Sequence, residues 1–285
     1  MKVMKRVLRP VGTIAFLLAM YYLLQLVFLT VTSAVAVKVG LLTGTIPPEA
    51  ANMVGNAQFL DDNPPIQALM VNARACGIFL SALSMLLLIH FTGHYRLRCR
   101  LLRSIAPRPL LISTLLVFSS MFALNIFVQW FPLENNLTDV FSGLSRNVLG
   151  IFCLAVLAPL LEEVLFRGAI QGVLMRYFGR PWPAIIVSAL VFGVFHWNPI
   201  QVVYATLLGI VLGWIYYRTG SLMSVIVGHV LNNTLAVVTT VAYSAADEQA
   251  VAESSVGISG FLLFALLSVY LAVKLNSEMQ HKLQE

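Results

Sequence analysis

The sequence predicts an all-α, polytopic membrane helix bundle of about eight transmembrane helices, with both termini cytoplasmic. Three observations carry this expectation. Apolar residues make up 59% of the 285 positions and charged residues only 11%. Soluble domains run near 45–50% apolar and about 25% charged. Mean hydropathy is +0.86, and long apolar runs recur through the chain between short polar breaks. Lys, Arg and acidic residues alternate from break to break. The composition excludes disorder, whose signature is low hydrophobicity and high charge. The alternating apolar and polar pattern of an outer-membrane barrel is absent. The net charge of +6 reads as loop charge in a membrane chain, so no nucleic-acid partner is expected.

The apolar runs place the spans at about 11–36, 67–91, 109–131, 147–175, 183–198, 200–217, 221–243 and 257–274. The first run follows Lys2, Lys5, Arg6 and Arg9. Ala34-Val35-Ala36 resembles a signal-peptidase site, but the run is longer than a signal h-region of about 7–15 residues, so an uncleaved span is expected. The connection at 38–66 holds Pro47-Pro48 and Asn63-Pro64-Pro65 and reads as a solvated outer connector with short helical pieces. The 92–108 loop carries Arg96, Arg98, Arg100, Arg103 and Arg108; contact with anionic lipid is a second reading of that charge. Later breaks fall at Gly179-Arg180-Pro181-Trp182-Pro183, Asn198-Pro199 and Thr219-Gly220-Ser221.

Charge fixes the expected orientation. Basic residues follow spans two, four, six and eight: the five arginines just named, Arg176 with Arg180, Arg218, and Lys274 with Lys282. The intervening loops hold Glu49, Asp61 and Asp62, then Glu134 and Asp139, then Asp247, Glu248 and Glu253. The positive-inside rule then puts both ends in the cytoplasm. Lys38, Arg74 and Arg146 depart from this pattern. Cys76, Cys99 and Cys153 form no CxxC, so neither a cysteine zinc site nor a disulfide framework follows.

Ionisable residues inside apolar spans are costly and mark candidate functional sites. The fourth span contains Glu162, Glu163 and Arg167. Glu163 and Arg167 are four apart, on one helix face, and neutralise each other locally. Glu162 is turned by about 100° and is left as the freer base. A structural ion pair with a spare glutamate is the competing reading. The fifth span ends Phe192-Gly193-Val194-Phe195-His196. His196 falls about 20 Å along it, with Phe192 one turn earlier to pack beneath the ring; alone it reads as a buried, hydrogen-bonded histidine. The seventh span holds His229 and Asn233 on one face, about 12 Å from the cytoplasmic end. Alone, that pair also reads as interhelical hydrogen-bonding glue.

Together these residues supply the parts for hydrolysis by activated water. Glu162 is placed to act as a general base. Histidine and asparagine donors are suited to holding an oxyanion. The same Glu162, His196 and His229 also have the chemistry to ligate one zinc with an open position. HExxH and GxSxG are absent, and Asp61, Asp62, Asp139 and Asp247 all fall in loops, which excludes an aspartyl dyad within the spans.

The set Glu162-Glu163-x-x-x-Arg167, Phe192-x-x-x-His196 and His229-x-x-x-Asn233 resembles the CAAX prenyl protease and bacteriocin-processing family (CPBP, or Abi), which includes the type II CAAX prenyl proteases. Order, spacing and span placement all match, over about residues 147–240. The resemblance implies an eight-helix intramembrane endopeptidase. Glu162 with His196 would activate the water, His229 and Asn233 would stabilise the oxyanion, and Glu163 and Arg167 would support the site. The family name implies a metalloprotease, yet a metal-free glutamate mechanism is also compatible, so the cofactor is one divalent metal (zinc) or none. The implied organisation is helices 1–3 in 1–146, a catalytic core in 147–243, and an outer loop, last helix and tail in 244–285. The implied partners are the bilayer and a membrane-embedded or lipid-associated peptide or protein. A bacterial inner membrane is the expected location, which removes prenylated proteins as the obvious substrate. The second reading is a non-catalytic immunity or scaffold protein of the same fold. A proton-coupled transporter is a third, disfavoured because no repeat symmetry is evident.

Overall fold

A computed structural model describes residues 2–92, 105–133, 138–242 and 255–281. Every regular element among them is helical. In chain order these are α1 (Lys2–Thr43), α2 (Ala57–Asp61), α3 (Pro64–Phe91), α4 (Pro107–Gln129), α5 (Thr138–Ser145), α6 (Val148–Phe178), α7 (Pro181–Val194), α8 (Pro199–Thr219), α9 (Met223–Ala242) and α10 (Ser255–His281). The loop arginines Arg96, Arg98, Arg100 and Arg103, together with Cys99, Glu134, Asp247, Glu248, Glu253 and Lys282, lie outside the described residues.

Seven helices are long and apolar enough to cross a membrane, and the chain is an integral membrane protein of the polytopic all-α kind. They coincide with seven of the eight expected runs. The exception is α7. Its 14 residues rise about 21 Å, short of a hydrocarbon core of about 30 Å. An eight-crossing chain with both ends on one side therefore needs α7 and the turn that follows it to count together as one crossing.

Helix limits follow from local chemistry. Proline occupies a first-turn position in α3, α4, α7 and α8, where its missing N–H costs nothing. Gly179 and Gly220, each at φ 63°, close α6 and α8 in the left-handed conformation glycine adopts freely. In the connection between α1 and α3, the Asn56 side chain accepts from the Phe59 amide and caps α2.

The helices differ in depth within the bundle. Half of the apolar window of α6 and of α4 is buried, against 6% for α1 and 11% for α10. Side chains such as Leu26, Leu42, Leu263 and Leu266 stand exposed on the outer helices, as lipid-facing positions require. α1 packs chiefly on α3, and α10 on α4. Where α10 ends, Glu278 pairs with Arg108 at 2.8 Å and the Asn276 carbonyl accepts from Arg218. Two of the basic break positions therefore gather at one end of the bundle.

α6 is not a uniform α-helix. Cys153–Leu157 and Glu163–Gln171 are wound as π-helix. Pro159 accounts for the first of these turns. It lacks an amide hydrogen and its ring crowds the preceding carbonyls, and the Ala158 amide instead bonds Cys153 five residues back. π-Turns of this sort accompany functional sites.

α9 is set against α4 by Gly228. A Cβ at that position would stand 2.7–3.0 Å from three side-chain atoms of Val117. Gly228→Ala is expected to overpack this contact by about 1–3 kcal/mol and to lower the unfolding midpoint of the detergent-solubilised protein. An unchanged midpoint would show that Val117 yields freely and that Gly228 does not set the depth of α9.

Candidate active site

The site forms where α6, α7 and α9 meet beneath α8. Glu163 is its buried centre, with 0% of the side chain exposed. Its Oε1 accepts from Arg167 Nη1 at 2.9 Å and from His229 Nδ1 at 2.7 Å. Oε2 of the same carboxylate is buried without a hydrogen-bond partner. Arg167 is 1% exposed, and its remaining contacts explain how a guanidinium is tolerated there. Nη2 donates to the Gly209 carbonyl at 3.3 Å, and the group lies 4.4 Å from the centre of the Phe192 ring, in cation–π range. One turn further along, Gln171 Nε2 donates to the Gly213 carbonyl at 2.9 Å. The Gly209-x-x-x-Gly213 spacing opens the α8 backbone to these donors; a Cβ on Gly213 would stand 2.8 Å from Gln171 Oε1.

His229 lies between the two glutamates. Nδ1 takes Glu163, and Nε2 faces Glu162 Oε2 at 3.6 Å. Glu162 is less enclosed, with 13% of its side chain exposed. Glu162 therefore has the access to solvent or substrate that Glu163 lacks. Arg167 sits on Glu163 as a spacing of four requires, and His229, 66 residues away, adds a second partner to the same oxygen.

His196 stands just past the end of α7, because the helix stops at Val194. It belongs to the turn between α7 and α8 rather than to the helix. The amides of His196 and Trp197 close that turn on Gly193 and Val194. His196 Nδ1 lies 2.8 Å from the Phe192 carbonyl. A carbonyl only accepts, so the ring hydrogen sits on Nδ1 and Nε2 of the neutral ring carries the lone pair. Phe192 presents its ring to both histidines, at 4.9 Å from His196 and 5.9 Å from His229. Phe192 is thus the partition that spaces the two imidazoles.

Asn233 is engaged differently from a free donor. Its Nδ2 donates to the Leu154 carbonyl at 3.0 Å. That carbonyl is orphaned by the winding of α6. Its α-helical partner, the Ala158 amide, bonds Cys153, and its π-helical partner would be Pro159, which has no N–H. Asn233 Oδ1 accepts from Asn232 Nδ2 at 2.9 Å, and Asn232 Oδ1 accepts a short hydrogen bond from the Tyr204 hydroxyl. A relay from α8 through α9 to α6 thereby sets the amide of Asn233, one of whose two hydrogens is used on Leu154. The motif spacing did not single out Tyr204 or Asn232; the available signal was a polar side chain inside an apolar run.

α1 also reaches the site. Tyr21 packs on Phe195 with ring centres 4.4 Å apart and accepts from Gln25 Nε2 at 2.7 Å. An apolar cleft of about 310 Å³ opens beside the His196 turn, between Leu18 and Tyr22 of α1 and Leu190, Val194 and Trp197.

Among the described residues no three His, Cys, Asp or Glu side chains converge closely enough to hold a metal ion. Nδ1 of His196 is turned to a carbonyl and Nδ1 of His229 to a carboxylate, the hydrogen-bond pattern that leaves Nε2 of a histidine as its ligating atom, and His229 Nε2 stands 3.6 Å from Glu162 Oε2.

Residues 144–235 match the model of a protein family described as "Type II CAAX prenyl endopeptidase Rce1-like". The match covers about a third of the chain and contains every residue of the three motifs. It supports a membrane protease of the CAAX type, hence a hydrolase. No curated protein and no solved structure matches the chain.

Proposed function

We propose that the protein is an intramembrane endopeptidase that hydrolyses a peptide bond of a membrane-associated protein or peptide with a glutamate-activated water. The observation that carries this reading is the division of labour between two adjacent carboxylates. Glu163 Oε1 is committed to both Arg167 and His229, whereas Glu162 is partly open, with His229 Nε2 at 3.6 Å its nearest basic neighbour among the described residues. A committed carboxylate orients its partners and an open one accepts a proton.

In this reading Glu162 takes one proton from a water whose other hydrogen is held by the lone-paired Nε2 of His196, as the water oxygen attacks the scissile carbonyl. His229, oriented by Glu163 through Nδ1, stabilises the developing oxyanion in its doubly protonated form, through the Nε2 hydrogen, and the second hydrogen of Asn233 Nδ2 joins it. Collapse of the tetrahedral intermediate returns the proton to the leaving amine. Residues 147–243 form the catalytic unit, the termini and the basic breaks face the cytoplasm, and the substrate is drawn from the bilayer of a bacterial inner membrane.

The test compares membrane-protein termini in cells lacking the protein, complemented with wild type or with a Glu162→Ala, His196→Ala double variant at equal expression. New termini that appear only with wild type are expected. Identical termini with both, under conditions where wild type restores a phenotype and the double variant does so equally, would transfer the function to a binding or immunity role.

A further inference from the structure

We propose that Tyr22 on α1 is a positioning residue of the catalytic centre, acting on His196 through the turn that follows α7. It lies outside the family-matched segment at 144–235, and it deepens the peptidase reading by adding a residue to the same site.

The turn needs restraint. Trp197 adopts φ 53°, the one positive φ among the described non-glycine residues. A bulky side chain is disfavoured there and persists only where its surroundings impose it. Packing of the indole does not do so, because Trp197 is 74% exposed. Hydrogen bonding does. The Tyr22 hydroxyl donates to the Phe195 carbonyl at 3.1 Å and accepts a short bond from Trp197 Nε1. One phenol oxygen therefore grips the residues on either side of His196.

The ring packing continues the grip. Phe195 is held between α1 and α6, with ring centres 4.4 Å from Tyr21, 5.0 Å from Tyr22 and 5.0 Å from Phe166. His196 is consequently fixed from three directions: by Tyr22 through its two chain neighbours and by the Phe192 carbonyl through its own ring. α1 is otherwise a shallow helix, with only 6% of its apolar window buried. The two bonds from Tyr22 are a specific engagement on a helix that contributes little core.

The test needs no substrate, so it stands or falls separately from the peptidase reading. The full-length protein in detergent is treated with diethyl pyrocarbonate, and modification of each histidine is followed by mass spectrometry. Exposed His90 serves as the internal reference. Tyr22→Phe removes both hydrogen bonds and keeps the ring. It is expected to raise the modification rate of His196 by about 5- to 30-fold, the factor corresponding to one to two net hydrogen bonds, with the His90 rate unchanged. Trp197→Phe removes the donor from the opposite side and is expected to shift His196 in the same direction; it keeps the question answerable if Tyr22→Phe does not fold. Wild-type rates at His196 in the folded variants would overturn the proposal. So would a joint rise at His90 and His196 with a lowered midpoint, which would mark general loosening.

Discussion

Glu162→Gln is expected to reduce cleavage by about 10²–10⁴-fold, the range that a positioned general base contributes, while leaving the unfolding midpoint close to wild type. The substitution is nearly isosteric and removes only the ability to accept a proton. Glu162 is the less buried of the two glutamates, and its nearest basic neighbour among the described residues, His229 Nε2, is 3.6 Å away. Little of the fold depends on it. The measurement is the rate at which a substrate terminus appears in membranes carrying matched amounts of each protein. A Glu162→Gln protein that cleaves within tenfold of wild type would remove Glu162 from the role of base and leave that role to His196 alone.

Glu163→Ala is expected to behave in the opposite way, with a destabilisation of about 3–5 kcal/mol, the cost of stripping one partner from a buried ion pair. Two groups lose their acceptor at once. Arg167, 1% exposed, would keep only the Gly209 carbonyl and the Phe192 ring, and His229 would lose the bond that fixes Nδ1. Activity is lost as well, but through the geometry of His229 rather than through missing chemistry. The checking measurement is thermal aggregation of the detergent-solubilised protein followed by size-exclusion chromatography. Glu163→Gln, which retains one carbonyl acceptor, should fall between wild type and Glu163→Ala. If Glu162→Gln melts the protein and Glu163→Ala does not, the two carboxylates have been assigned in the wrong order.

How much of this could be read from the chain differs between residues. The spans were legible because their apolar runs are long and their breaks carry Pro, Gly and Asn; seven helices begin or end close to the expected positions. α7 was legible as an element but not in length. Apolarity continues through Phe195 and Trp197, whereas the helix ends at Val194 because the residues before Pro199 turn rather than wind. The contact between Glu163 and Arg167 follows from a spacing of four. The contact of Glu163 with His229 joins residues 66 apart and depends on how α9 docks, which no local spacing encodes.

The winding of α6 was equally hidden. A proline inside a helix is a visible break signal, yet its consequence here appears on another helix, in Asn233 filling the place of the missing amide hydrogen at Leu154. Tyr22 was invisible for a different reason. It occupies an apolar run with no Asp, Glu, Lys, Arg or His beside it, and its importance arises only from the turn that folds against it 173 residues later.

That order along the chain bears on how the protein is made. α6 leaves the ribosome carrying Glu162, Glu163, Arg167 and Gln171, and isolated charges of this kind oppose insertion by about 2.5–3.5 kcal/mol each at mid-bilayer. The Glu163–Arg167 pair is available at once, within the helix itself. The Gly209 and Gly213 carbonyls arrive 42 residues later with α8, and His229 follows with α9. During synthesis the nascent α6 is thus a poor lodger in lipid, and its release from the insertion machinery is best timed to the arrival of α8 and α9, so that the four helices from α6 to α9 enter the bilayer as a set.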